Sequence, residues 1–300
     1  MARSSQPAAG RFTRTLARIG HWGIARLLIL ILVPIAVLAV VQIATHPLIP
    51  PKGAPYHSEA LMVANLFAAG LLLVVYAWTV RLIERRRASE LAIGPGIGPF
   101  LIGCVIGAAL MGLVYLIFDR LGMVAFAPGT GWTGLANGLA ASFAGAVLEE
   151  LIMRAIVFRI VEEMTGTTIA IAFSAILFGL LHAFNPGATI VSTSAIAIEA
   201  GVLLALAYAL TRNIWLVVGL HMAWNFTEGD IFGAKVSGNA ASHSLMRTTL
   251  SGPDIVTGGA FGPEASVVAV IVCLAAAIAI GALVVRRNGW RPRRLRLYLG

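Results

Sequence analysis

Charged side chains occur inside an apolar run that extends from Leu135 to Ile160, where residues 147–154 read V-L-E-E-L-I-M-R. An ionisable group in a membrane-spanning helix costs at least ~2.5 kcal/mol on insertion scales, so it usually faces a partner or a water-filled cavity. Glu149, Glu150 and Arg154 therefore need either a partner or a function within the protein.

The spacing of these residues indicates that two of them form an ion pair and that one acid remains without a partner. Glu150 and Arg154 are four positions apart with the acid first, which is the favourable order for an ion pair on one helical face. We assign this pair a structural role. Glu149 points about 100° away around the helix and has no basic partner at helical spacing, so it requires another explanation.

Two later apolar runs carry polar side chains that could meet Glu149. His182 ends the stretch F-G-L-L-H, and His221 and Asn225 are four apart in H-M-A-W-N. Gly166 marks a turn, with Glu149 17 residues before it and His182 16 residues after it. An antiparallel helical hairpin would bring both side chains to one level, roughly 25 Å along each helix.

These residue types could hydrolyse an amide bond. A carboxylate and an imidazole can hold and deprotonate a water molecule, and a histidine with an asparagine can donate hydrogen bonds to an oxyanion. Glu149, His182 and His221 could instead ligate Zn²⁺ with one position open. Hydrogen bonding between packed helices is the simpler alternative for the histidines and Asn225, and a polar seam is the simpler alternative for Glu199.

The composition indicates the elements that must position these groups. Of the 300 residues, 59% are hydrophobic and 12% are charged, and the mean hydropathy is +0.89. A soluble domain has about 25% charged residues. We therefore expect an all-α, polytopic membrane bundle of about eight transmembrane helices. The predicted spans are 24–45, 59–80, 98–118, 136–164, 168–184, 190–210, 213–228 and 266–285.

The distribution of positive charge predicts the orientation. Of the 22 lysines and arginines, 17 fall in segments that share one side of the membrane under this arrangement of helices. The positive-inside rule then makes both termini cytoplasmic in a multi-pass plasma-membrane protein. We expect a basic cytoplasmic segment at 1–23, a bundle at 24–285 with its catalytic core at about 100–230, and a basic cytoplasmic tail at 286–300. Residues 229–265 read as a polar outer loop, partly disordered.

The three stretches resemble the motifs of a known family. E149-E-L-I-M-R154, F178-G-L-L-H182 and H221-M-A-W-N225 are similar to the E-E-x-x-x-R, F-x-x-x-H and H-x-x-x-N motifs of the CAAX-protease and bacteriocin-processing (CPBP, or abortive-infection) family. The resemblance covers roughly residues 100–230. It implies an intramembrane endopeptidase acting on a peptide or membrane-protein substrate, and it leaves open whether zinc takes part.

The resemblance also implies a role for each matched residue. Glu149 would be the catalytic glutamate, and His182 would help to hold the attacking water. His221 and Asn225 would stabilise the oxyanion. The other three matched residues would be structural: Glu150, Arg154 and Phe178.

Other classes fit the sequence less well. The chain contains no H-E-x-x-H, G-x-S-G or G-x-G-D motif of other intramembrane proteases. We expect no nucleic-acid partner, because no recognition motif accompanies the basic tail. A non-catalytic immunity or scaffold protein of the same fold is the main alternative. A transporter using Glu149 and His182 as a proton relay would require an inverted repeat or broken helices, which the sequence does not indicate.

Overall fold

The computed structural model of the chain describes residues 22–54, 56–287 and 289–292. The predicted basic segments at 1–23 and 286–300 lie largely outside these described residues, so their boundaries stay predictions. Within the described residues the expected all-α architecture is confirmed. Uninterrupted long helices are α1 (Gly23–Thr45), α2 (His57–Ile83), α3 (Ile97–Arg120), α6 (Thr167–His182) and α11 (Val267–Arg286).

Three further helices contain, or lead into, a π-helical segment. The first comprises α4 (Leu135–Glu150), π1 (Leu151–Phe158) and α5 (Arg159–Thr165). The second comprises α7 (Ile190–Ile196), π2 (Ala197–Val202) and α8 (Leu203–Thr211). The third comprises α9 (Trp215–Phe226) and π3 (Thr227–Ile231). A helix therefore occupies each of the eight predicted spans, with ends displaced by a few residues.

Length and composition identify a multi-pass membrane protein. Among the described residues, five helical stretches are long and apolar enough to cross a bilayer: Gly23–Leu48, His57–Ile83, Gly94–Arg120, Ile190–Thr211 and Val267–Arg286. Thr167–His182 is apolar but shorter. The predicted total of eight spans remains a prediction, because the helices around α4, α6 and α9 do not meet this measure individually.

The segment 229–265 is folded, so the expectation of partial disorder was wrong. Its strand β2 (Met246–Leu250) pairs antiparallel with β1 (Val124–Pro128), which follows α3, and a short helix α10 (Asp254–Thr257) comes next. Backbone hydrogen bonds fix the remainder, including one from Gly238 N–H to the Phe261 carbonyl at 2.7 Å. The segment therefore forms an ordered layer over one end of the bundle.

Glycines allow α3 and α9 to pack at very short distance. A Cβ atom at Gly107 would lie 2.1 Å from the Leu220 carbonyl oxygen, and one at Gly219 would lie 2.2 Å from the Phe100 carbonyl oxygen. Small residues at such contacts are how membrane helices bring their backbones together. This packing fixes the position of α9, which carries His221 and Asn225.

A network of ion pairs closes one end of the bundle. Glu84, just after α2, pairs with Arg26 of α1 at 3.1 Å and with Arg159 of α5 at 2.9 Å. Glu162 of α5 pairs with Arg212, just after α8. The ends of four helices therefore meet in one charged layer.

Candidate active site

The α4–α6 hairpin brings Glu149 and His182 together as the sequence predicted. The chain turns at Gly166, whose φ of +90° lies in the region that favours glycine. Glu149 is the penultimate residue of α4 and His182 is the last residue of α6. The Glu149 Oε2 and His182 Nε2 atoms are 3.9 Å apart.

Helix α9 supplies a second imidazole to the same carboxylate oxygen. His221 Nε2 lies 4.0 Å from Glu149 Oε2, while the other ring nitrogen, Nδ1, lies 2.9 Å from Glu150 Oε1. A carboxylate oxygen accepts hydrogen bonds, so Nδ1 carries the hydrogen. Glu150 therefore orients His221 with its Nε2 toward Glu149.

His182 is held in a similar way by the main chain. Its Nδ1 lies 2.8 Å from the Phe178 carbonyl oxygen. Because a carbonyl can only accept, Nδ1 donates and the neutral ring has its lone pair on Nε2, the nitrogen facing Glu149. The Phe178 ring is buried, and its centroid is 4.6 Å from that of the His182 ring. Phe178 therefore packs against the imidazole ring of His182.

Arg154 is enclosed completely and ties three parts of the bundle together. Its Nη1 donates to Glu150 Oε1 at 3.2 Å, so the predicted ion pair is present. Its Nη2 donates to the Ala200 carbonyl of π2 at 3.2 Å, and its guanidinium lies 4.7 Å from the Phe178 ring centroid. Irregular helices of the π type leave carbonyls available for such contacts. Glu150 and Arg154 thus form a buried support beneath the histidines.

A polar cleft of about 460 Å³ gives access to this group. Glu149, His182 and Asn225 all line it, and exposed residues such as Ser242 form its rim. The Glu149 side chain is 37% exposed, although its Oε2 is enclosed and has no hydrogen-bond partner. Water in the cleft can therefore reach part of the Glu149 side chain, whereas Oε2 faces the histidines.

A second, smaller cavity of about 30 Å³ adjoins the first behind the histidines. His182 and Asn225 line both spaces, whereas His221 lines only the smaller one. Glu149, His182, His221 and Asn225 therefore do not all line one cavity. The smaller space has room for one or two water molecules.

Several residues of this region were not identified from the sequence. Asp230 and Ser237 line the cleft, and Glu264 lines the smaller cavity with Glu199, for which the sequence favoured a polar seam. Glu228, Glu264 and Glu199 are buried, and each has a carboxylate oxygen without a partner. Buried acids in a polar loop were the available signal, but nothing in their spacing linked them to the distant motifs.

The zinc alternative requires a test of donor geometry. Zinc bonds of about 2.0–2.1 Å at tetrahedral angles place donor atoms about 3.4 Å apart. Glu149 Oε2 lies 3.9 Å from His182 Nε2 and 4.0 Å from His221 Nε2. Across residues 22–54, 56–287 and 289–292, no three His, Cys, Asp or Glu side chains are arranged to hold a metal ion. These donors as arranged do not fit tetrahedral zinc.

Comparison with known proteins bears on the same region. No curated protein and no solved structure matches the chain. Residues 131–227 match the family model described as Rce1-like, type II CAAX prenyl endopeptidase. This range contains all three motifs, so the resemblance inferred from them is confirmed. Residues 131–227 of this chain are therefore similar to the Rce1-like, type II CAAX prenyl endopeptidase family.

Proposed function

We propose that the chain is an intramembrane endopeptidase in which Glu149 and His182 activate a water molecule for attack on a peptide bond. The observation that carries this proposal is the separation of 3.9 Å between Glu149 Oε2 and His182 Nε2. It is too long for a direct hydrogen bond. A water molecule with hydrogen bonds of about 2.8 Å to each atom spans it easily.

The number of hydrogens on that water assigns different roles to the two histidines. Glu149 Oε2 and the lone pair on His182 Nε2 accept its two hydrogens, which leaves an oxygen lone pair for the substrate carbonyl. His221 Nε2 is equally near the carboxylate, at 4.0 Å, but no hydrogen of the water remains for it. His221 is therefore the side chain that donates, and its partner in the reaction is the developing oxyanion.

The local charge balance supports a donating His221. The fully buried Glu150 and the adjacent Glu149 bring two negative charges, and Arg154 brings one positive charge. An imidazolium at His221, bound to Glu150 through Nδ1, makes the group neutral. Buried charges are tolerated chiefly when they are balanced in this way. The Nε2–H of His221 and the amide of Asn225 would then stabilise the oxyanion.

The reaction balances without another reactant. The water oxygen forms a bond to the scissile carbonyl carbon as Glu149 takes a proton, giving a tetrahedral intermediate. Its collapse breaks the carbon–nitrogen bond, and Glu149 returns the proton to the leaving amine. The products are a carboxylic acid and an amine, and Glu149 is again ionised.

A non-catalytic immunity or scaffold protein is the alternative of a different class. Such a protein would need the buried Glu150–Arg154 support but not an accessible Glu149. The combination of an exposed carboxylate edge, two oriented imidazoles and a polar cleft favours the enzyme. The substrate we infer is a peptide or a membrane protein.

The test is cleavage of a quenched fluorescent peptide library by the purified protein in proteoliposomes. Glu149→Gln should lower the rate by about 10²-fold or more, because the base that takes the water proton is removed. Glu59→Gln, at an exposed acid in the first turn of α2, should leave the rate unchanged. Equal rates for Glu149→Gln and the wild type would overturn the proposal.

The same assay with a metal chelator distinguishes a metal-free mechanism from a zinc-dependent one. Activity that survives chelation supports the metal-free route through Glu149 and His182. Activity that chelation abolishes and added zinc restores would instead make Glu149 and the histidines ligands. The donor atoms would then have to move closer together in the loaded enzyme than their separations of 3.9 and 4.0 Å.

A further inference from the structure

Asp230 is a cleft-lining acid whose side chain has no partner among the described residues. Its main chain is fixed, because its carbonyl accepts a hydrogen bond from Leu245 N–H at 2.8 Å. Burial raises the pKa of Asp230 to about 6, so the carboxylate is largely ionised at neutral pH. A charge held in place in a substrate cleft without a counter-ion is available to a ligand.

The other side chains of the cleft do not neutralise this charge. Its lining contains Glu149 as a second acid and contains neither lysine nor arginine. Lys235, from the same loop, donates to the Ala260 carbonyl at 3.1 Å and does not line the cleft. Glu199 and Glu264 in the adjoining cavity add further carboxyl groups. A cleft lined by one sign of charge attracts the opposite sign and disfavours its own.

The position of Asp230 can be measured along α4. A Cβ atom at Gly138 would lie 1.9 Å from Asp230 Oδ1, so the carboxylate rests directly against this glycine. Gly138 and Glu149 are separated by eleven residues of one helix, or about 16 Å at 1.5 Å per residue. That distance corresponds to about five residues of extended chain at ~3.3 Å each. A long lysine or arginine side chain can itself span part of this distance. The basic residue would then lie three to five residues from the bond that is cut.

We propose that Asp230 determines substrate specificity by pairing with a lysine or arginine side chain three to five residues from the bond that is cut. This inference rests on the proposed function and names its substrate class, a basic peptide segment at the membrane surface. An acidic segment at the same position would lie beside the carboxylates of Asp230 and Glu149. Ion pairing with Asp230 thus selects the substrate, and Glu149 activates the water that cleaves it.

The experiment compares three peptides that have Lys, Gln or Glu at one position, three to five residues from the bond that is cut. The peptides are otherwise identical. The wild type should cut the Lys peptide with a kcat/KM about tenfold or more above that of the Gln peptide, with the Glu peptide lowest. Asp230→Asn should bring the Lys-to-Gln ratio close to one. Asp230→Lys should reverse the order, so that the Glu peptide is cut best. Asp230→Glu should keep the wild-type order.

The matched control is Asp119→Asn. Asp119 is an exposed acid near the end of α3 and does not line the cleft, so its removal should leave all three rates unchanged. A wild-type ratio near one, or an order that Asp230→Lys does not alter, would overturn the specificity proposal while leaving the peptidase proposal intact.

Failure of the peptidase proposal gives a different result. If the wild type cuts none of the peptides, their binding is measured by photo-crosslinking to the Glu149→Gln protein. An order of Lys, Gln, Glu that reverses in the Glu149→Gln, Asp230→Lys protein supports the role of Asp230 in a binding protein. Equal crosslinking of the three peptides rules that role out.

Discussion

Glu150 joins the two functional halves of the site through a single oxygen atom. Its Oε1 accepts from His221 Nδ1 at 2.9 Å and from Arg154 Nη1 at 3.2 Å, and the side chain is fully buried. One acid therefore orients an imidazole and neutralises a guanidinium. Under the proposed mechanism it acts on the reaction through His221, which would make it a positioning residue.

Removal of Glu150 should destabilise the protein strongly. In Glu150→Ala the Arg154 guanidinium stays buried without its counter-ion, and breaking a buried pair in this way costs about 3–5 kcal/mol. Thermal unfolding in detergent should show a clearly lowered midpoint. The double variant Glu150→Ala, Arg154→Met removes the orphaned charge and should recover much of the loss. A double variant as unstable as the single one would contradict this account.

At the level of elements, the α4–α6 hairpin was predictable and the π-helical segments were not. The sequence shows the turn at Gly166 directly. With the rise per residue of a helix, this turn predicts that Glu149 and His182 lie at the same depth along the hairpin. Every π segment places an acid or a base in or beside the site: Arg154 in π1, Glu199 in π2 and Asp230 in π3. A π segment depends on tertiary contacts, for which hydropathy gives no signal.

The loop residues of the site escaped prediction for a related reason. Ser237 and Glu264 reach the site because the loops that carry them are hydrogen-bonded to each other, as in the contact from Gly238 N–H to the Phe261 carbonyl. Such pairing joins positions more than twenty residues apart in an irregular segment. Helical spacing predicts neighbours only within a helix or across a short hairpin. The loop residues that line the site could therefore not be predicted from the sequence.

The α3–α9 contact gives an element-scale prediction. Gly107→Val should lower the unfolding midpoint, with a cost of about 1–3 kcal/mol or more, because its Cβ would lie 2.1 Å from the Leu220 carbonyl oxygen. Cleavage should fall as well, since Leu220 directly precedes His221. Gly112→Val is the control on the same helix, where a Cβ meets nothing within 4 Å. Equal effects of the two substitutions would show that the close approach does not set the position of α9.

On the scale of the whole molecule, the charged layer and the cleft lie at opposite ends. The helix formed by α4, π1 and α5 begins beside the cleft and ends at Arg159 and Glu162 in the ion-pair layer. Its 31 residues span about 45 Å, enough to cross a bilayer. Arg26, Arg86 and Arg212 lie in this charged layer, so the positive-inside rule predicts that the layer faces the cytoplasm and the cleft faces outside.

Accessibility of single cysteines tests this orientation. In a background carrying Cys104→Ser and Cys273→Ser, Ser242→Cys places a thiol on the exposed cleft rim and Ser89→Cys places one at the exposed opposite end. An impermeant maleimide added to intact cells should label the first and should label the second only after permeabilisation. The reverse pattern would put the cleft in the cytoplasm. Under the proposed function, the expected pattern would place cleavage on the outer side of the membrane, because Glu149 lines that cleft.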